Sequence, residues 1–250
     1  MDRKFSYLLR RHLPNVLVKY LSRYRRLCLV IRDFHGRHKR ECPICGYRGY
    51  FIAVGVPLRF DAACRQCGSV ERHRLHHIVE QAHPEWINEA DVLHFGAEPC
   101  FLESYKRRAA RYVTADLLPT ATEVRADIQS LEFSDESFDT IICHHILEHI
   151  PDDGSAIREL SRVVRKSGRV IITVPIVESW QDTFNLKESA SKQSRDLFHG
   201  QTDHLRYYGA DFRQRLMSAG FLLTEHVAHE PQVSKYSLIR GETLFVAKKV

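Results

Sequence analysis

From Asp91 onward, short apolar runs alternate with amphipathic stretches. The runs at 91–95, 111–115, 138–143, 169–174, 221–227 and 243–248 predict strands. Apolar positions at helical spacing over 99–109, 153–166 and 209–219 predict helices between them. Strands and helices in regular alternation predict a parallel sheet covered by helices on both faces. Ahead of this block, residues 69–83 read as a helix that Pro84 ends. Residues 1–35 read as an amphipathic helix, with Leu9, Leu13, Leu17, Leu21 and Tyr24 on one side and Lys19, Arg23 and Arg26 on the other. Pro14 falls in the first turn of its main part. Residues 178–208 are polar without a strong period and read as an insert. Three parts follow: an arm at 1–40, a Cys-rich module with its connecting helix at 41–84, and an α/β domain at 85–250.

The charge is unevenly placed. The whole chain of 250 residues carries a formal +6, but residues 1–40 hold twelve Lys or Arg against two Asp. The remainder holds twenty-five basic and twenty-nine acidic residues, so the body is mildly acidic. A localised basic segment attracts anionic lipid or nucleic acid. One reading lays this helix on an anionic membrane surface. The other packs it on the body or a second subunit, making an oligomer. Arg and Lys interrupt every early apolar run, which is not the pattern of a secretory signal. No run of 18 apolar residues occurs, so a cytoplasmic protein is expected, peripheral at the inner face of the membrane on the first of these two readings.

The cysteines add a metal. There are seven, an odd number, and four form two close pairs. Cys42-Pro-Ile-Cys45-Gly and Cys64-Arg-Gln-Cys67-Gly are separated by eighteen residues. Each C-x-x-C turn presents two thiolates to one ion, and two such turns complete a tetrahedral Zn²⁺ site of four sulfurs. Four thiolates leave no open position, so the expected zinc is structural. Cys28, Cys100 and Cys143 lie in apolar surroundings and read as buried.

Within the α/β block, Gly96 follows the first strand, where a turn lets a ligand approach the backbone. Asp116 ends the next strand twenty residues later, placed to accept from two ribose hydroxyls. Asp127 with Ile128 can meet an adenine ring, and His144-His-Ile-Leu-Glu-His149 stands at the carboxyl end of a buried strand. With these motifs, residues 91–175 resemble the class I S-adenosylmethionine-dependent methyltransferases, in particular the broad group called type 11. "SFDTIICHHILEHIPD" and "ELSRVVRKSGRVIITVP" look like that group's fourth- and fifth-strand signatures. The resemblance implies a Rossmann-like methyltransferase sheet, here preceded by a zinc ribbon and an amphipathic helix. It implies S-adenosylmethionine as cofactor, with His94, Gly96 and Glu98 at the methionine part and Asp116 with Leu117 at the ribose. Asp127 and Ile128 would take the adenine, and Cys143 the end of the fourth strand beside the cofactor. The chain departs from the family where an acid usually ends the first strand, since His94 stands there, and where later turn glycines are replaced by Glu98 and Cys100.

The histidines supply candidate chemistry for the acceptor. His145 is a candidate general base, with His149 beside it, because a hydroxyl acceptor must lose its proton. His145-x-x-Glu148-His149 also has metal-site spacing, similar to the E-x-x-E-H of some quinone O-methyltransferases with the first Glu replaced. His204, Arg206 and Tyr207 of the insert could hold an anionic or hydroxyl-rich acceptor. Arg72-His-Arg74 after the ribbon faces either this cleft or solvent. The favoured reading is methyl transfer to a hydroxyl of a small-molecule or glycan-like acceptor. RNA methylation is the second reading, from ribbon plus basic arm. Against it, Cys143-His-His-Ile stands where many amino-group methylases carry an N-P-P-Y-type tetrapeptide, and exposed aromatics for stacking are not interleaved. The third is a non-catalytic binding protein retaining the fold.

Overall fold

The computed structural model describes residues 35–55, 58–117, 124–186, 191, 194–195 and 203–250. Residues 1–34 of the basic arm, Cys28 among them, and much of the insert, His199 included, lie outside the described residues, whereas 35–40 of the expected arm belong to a strand.

Three antiparallel strands open the described chain: β1 (His35–Glu41), β2 (Arg48–Val54) and β3 (Arg59–Ala63). Helix α1 (Glu71–Gln81) follows, then β4 (Asp91–Phe95), α2 (Pro99–Arg108), β5 (Arg111–Asp116) and β6 (Val124–Arg125). The chain continues through β7 (Phe138–His144), α3 (Asp153–Val163) and β8 (Val164–Thr173). The short β9 (Phe184–Asn185) and β10 (Arg206–Tyr207) pair with each other. Helix α4 (Phe212–Ser218), β11 (Phe221–Val227), α5 (Gln232–Tyr236) and β12 (Thr243–Lys249) complete it.

Seven strands form one sheet in the order β11-β12-β8-β7-β4-β5-β6. β6, β5, β4, β7 and β8 pair in parallel, whereas β12 enters antiparallel to both β8 and β11. Side chains alternate between two cores, as the two-residue strand period requires. Leu93, Ile141, Val170 and Phe245 face α3 and α4, meeting Ile157, Leu160, Phe212 and Leu216. Val92, Ile142, Ile171 and Leu244 face the other way, meeting Leu75 and Val79 of α1 with Phe101 and Tyr105 of α2. Each large side chain buried this way contributes about 1.5–3 kcal/mol. The helix after the Cys-rich module is therefore one of the helices covering the sheet.

The predicted helices are shorter: 69–83 forms over Glu71–Gln81, 99–109 over Pro99–Arg108 and 209–219 over Phe212–Ser218. The expected helix 153–166 stops at Val163, and β8 begins at Val164. Ser167 takes a left-handed φ of 62°. A Cβ on Gly168 would sit 2.8 Å from Arg165 O and 2.9 Å from Asp139 O. Gly168 thus serves a tight turn inside an extended segment and does not cap the helix. Among the described residues, no helix is long and apolar enough to cross a membrane.

Candidate active site

A cleft of about 730 Å³ opens at the carboxyl ends of β4, β5 and β7. Open α/β sheets bind ligands at this place, beside the strand where the order reverses. Gly96 forms one wall, with φ of 58° and its N–H donating to Ala115 O at 3.0 Å. A Cβ there would come within 3.2 Å of Ile146 Cδ1, narrowing the wall against the cleft. Asp116 and Leu117 follow from the end of β5, and Asp127 and Ile128 close the far end. Ile128 is buried in the core, so its surface toward the cleft is a fixed apolar shelf. Asp127 is partly engaged already: its Oδ1 accepts from Gln129 N–H at 2.9 Å and from the Gln129 amide at 3.2 Å.

Three residues expected at the cofactor lie elsewhere. Cys143 is fully buried in the core between β7 and α3, and burial pushes its thiol pKa up. His94 points to the α1–α2 side of the sheet, where its Nδ1 accepts from Tyr112 O–H at 2.8 Å. Its Nε2–H donates to Glu98 Oε2 at 2.8 Å. Glu98 turns the same way, and its Oε1 lies 3.2 Å from His73 Nε2, off the axis of the ring N–H. Burial raises Glu98, but the contacts with His73 and His94 outweigh it and hold the carboxyl well below its ordinary value. A carboxylate between two rings is satisfied there, and its side chain is not among those lining the cleft.

His145 and His149 of the histidine cluster also line the cleft. His145 takes a left-handed φ of 50° just past β7, with its N–H donating to Thr173 O at 2.8 Å. Its Nδ1–H donates to Glu148 Oε1 at 2.8 Å. A carboxylate only accepts, so Nδ1 carries the proton and Nε2 remains the acceptor of the neutral ring. Glu148 is fully buried. Burial pushes it up, yet the hydrogen bond from His145 holds it below the usual carboxylate value. His149 lines the cleft, and its ring lies 4.8 Å from that of His204, edge to face. Burial lowers the pKa of His204. Glu148, His149 and His204 each bring a ligand atom within 4.8 Å of the others, a donor set able to take a divalent ion. His145 is not one of that set.

Arg206 corrects the expected substrate role. Its guanidinium is buried and donates to Leu147 O at 2.8 Å, Ile150 O at 2.5 Å and Pro151 O at 2.9 Å. It straps the turn that carries Glu148 and His149 and is not among the residues lining the cleft.

The two C-x-x-C turns converge. Cys42 Sγ lies 3.6 Å from Cys67 Sγ, and Cys45 Sγ lies 3.6 Å from Cys64 Sγ. All four sulfurs fall within 4.8 Å of one another. A disulfide would need about 2.05 Å. Four sulfurs at about 2.3 Å from one ion would stand roughly 3.8 Å apart, so the set fits zinc. Behind it, Arg74 is fully buried and donates to Ser69 O, Ala62 O, Tyr236 O and Ser237 O at 2.5, 2.9, 2.7 and 2.6 Å. Arg72-His-Arg74 therefore faces inward at positions 73 and 74, a third option beside cleft and solvent. The sequence reading also missed His76, whose Nδ1 lies 2.8 Å from His144 Nε2. The signal was present: His73 and His76 are three apart on a helix that buries Leu75 and Val79.

Known proteins resemble this chain over its α/β domain. Residues 90–172 match the methyltransferase domain family. A ubiquinone biosynthesis O-methyltransferase of Alkalilimnicola ehrlichii is 28% identical over 120 residues, 47% of this chain and 47% of that protein. The ubiquinone/menaquinone biosynthesis C-methyltransferase UbiE of Hahella chejuensis is 30% identical over 96 residues, 36% of this chain and 38% of that protein. The match thus spans about half, or less, of these curated relatives. The S-adenosylmethionine dependent methyltransferase from Mesorhizobium loti superposes with a TM-score of 0.51 at 15% identity, covering 70% of this chain and 98% of that one. Likeness at that identity establishes the fold. Residues 90–172 thus resemble the methyltransferase domain family, and the sheet has the fold of that S-adenosylmethionine dependent methyltransferase.

Proposed function

We propose that this chain transfers the methyl group of S-adenosylmethionine to a hydroxyl of a small-molecule or glycan-like acceptor. The supporting observation is one cleft lined by both Asp116 and His145, with buried Glu148 hydrogen-bonded behind the His145 ring. A cleft of this volume suits a cofactor-sized ligand. Gly96 lets it approach the backbone, Asp116 accepts from the ribose hydroxyls, and Ile128 packs on the adenine. The bound cofactor supplies an electrophilic methyl group. Glu148 orients the His145 ring by its Nδ1–H, leaving Nε2 to take the acceptor hydroxyl's proton as oxygen attacks. Cys42, Cys45, Cys64 and Cys67 hold a structural zinc ion in this reading. The basic arm attaches the enzyme to an anionic membrane surface at the cytoplasmic face. Calorimetric titration with S-adenosylhomocysteine tests the cofactor site. Labelled methyl transfer to hydroxyl-bearing sugar and lipid fractions, with RNA alongside, tests the acceptor class. Label appearing in RNA alone would overturn it.

A further inference from the structure

The contact between His73 and Glu98 joins the Cys-rich module to the wall of the cofactor cleft. Glu98 lies two residues beyond Gly96 and is the residue from which α2 starts. Its carboxylate is hydrogen-bonded by His94 of β4 at 2.8 Å and lies against His73 Nε2 of α1 at 3.2 Å. His73 is itself referred to the second cysteine turn. Val70 N–H donates to His73 Nδ1 at 3.2 Å. The preceding Ser69 places its Oγ 3.3 Å from Cys42 Sγ and 3.2 Å from Cys67 Sγ, while its carbonyl accepts from Cys64 N–H at 2.9 Å and from Arg74 at 2.5 Å. An unbroken series of contacts therefore runs from the sulfurs through Ser69, Val70 and His73 to Glu98 and the Gly96 turn. A second contact runs from α1 to the opposite side of the cleft, since His76 meets His144 and the next residue is His145.

The geometry points to His73 and Glu98 as positioning residues that couple metal binding at the four cysteines to cofactor binding in the cleft. The inference rests on the reading of the cleft given above. A buried carboxylate tolerates little loss of its partners, because an unpaired charge in a low dielectric is costly. His73 is one of the two side chains that place Glu98, and with it the start of α2 after the Gly96 turn. An ion on the four sulfurs fixes the turn at 64–69 from which α1 begins, and so fixes His73. A ligand against Gly96 favours the same placement of Glu98 from the other end. Two ligands that select one arrangement bind with positive coupling, and the coupling is reciprocal.

The test needs no mutation to begin. The zinc affinity of the full chain is measured by competition with a chromogenic chelator, with and without saturating S-adenosylhomocysteine. The expected result is tighter zinc binding by at least about 5-fold when the nucleoside is present. His73→Ala should bring that factor close to one while still holding one zinc per chain. His73→Gln, whose amide N–H can reach Glu98, should restore part of it, which a merely structural role would not produce. Glu98→Gln gives a second route should His73→Ala fold poorly, and should likewise reduce the factor. A factor of one in the unaltered chain, with S-adenosylhomocysteine bound, would overturn the coupling alone. An undiminished factor in both His73→Ala and Glu98→Gln would remove these residues from it. No binding of S-adenosylhomocysteine at all would overturn the reading of the cleft, and this inference with it.

Discussion

His76 Nδ1 lies 2.8 Å from His144 Nε2, so the helix that follows the cysteine module touches the strand that ends at the histidine cluster. Both rings are buried, and His144 reaches on to Thr173 Oγ1 at 3.1 Å. Neutral imidazoles can share one proton in this way, but two imidazolium rings cannot. The relationship constrains the protein's response to acid.

Burial pushes His76 down to about 3 and also lowers His73 and His144. The unfolded chain therefore binds protons that the folded chain refuses, between about 3 and the ordinary 6.5. Stability from these groups rises with pH across that window and is complete above it. Glu80, Glu98, His77 and His94 face the His76 ring, and the two carboxylates only partly offset the burial. Glu242 opposes the trend, because burial raises it to about 7 and its contribution declines as pH rises from 4.5. With His204 and His226 also lowered by burial, these histidines outnumber the one raised carboxyl, and the thermal midpoint increases from about pH 5 to about pH 6.5. A midpoint that falls across that range would show that the buried rings are not held neutral.

Asp116→Ala should weaken S-adenosylhomocysteine binding, because two ribose hydroxyls lose a charged acceptor worth roughly 1.5–3 kcal/mol. That corresponds to about 10- to 150-fold in the dissociation constant. An unchanged constant in calorimetry would place the ribose somewhere other than the end of β5.

Purified protein should carry one zinc per chain. Cys42→Ser or Cys64→Ser should lose it and destabilise β1 to β3, since binding energy at such a site is folding energy. Elemental analysis of reductively purified protein that finds no zinc would contradict the four-sulfur site.

Much of the sheet was legible because strand burial has a period of two. The runs at 91–95 and 221–227 coincide with β4 and β11. β6 was not legible: two residues, Val124 and Arg125, make a strand by pairing with Ala115 and Asp116 and carry no pattern of their own. The cleft was legible where residues sit at strand ends, as with Gly96, Asp116, Ile128 and His145. Glu98 was misplaced for a different reason. Its position after the first strand is readable, but the side of the sheet its carboxylate takes depends on His73, twenty-five residues away on another element. Arg206 was misread similarly, since the carbonyls that consume its donors belong to a turn more than fifty residues earlier.

The basic arm should govern attachment and not chemistry. A chain beginning near Gly36 should still bind S-adenosylhomocysteine while losing salt-sensitive association with anionic phosphatidylserine vesicles. Aggregation of the shortened chain would instead assign residues 1–35 to the core or to a subunit interface.

The last prediction concerns His145. If it takes the acceptor's proton, His145→Ala should lower turnover by about 10²–10⁴ while leaving cofactor affinity nearly unchanged. Alanine, however, also removes the partner of a buried Glu148 and must adopt the left-handed φ of 50°. His145→Asn separates these effects. Asparagine tolerates that backbone, and its amide N–H can still donate to Glu148, but it provides no base. Its thermal midpoint should therefore stay near that of the unaltered protein while turnover falls as far as in the alanine variant. His204→Ala should act differently, mainly raising the Michaelis constant if the insert holds the acceptor. Turnover at the unaltered level in His145→Asn would leave the ring as scaffold for the turn. Turnover abolished by a chelator, with the four-sulfur zinc still in place, would move the chemistry to an ion on Glu148, His149 and His204.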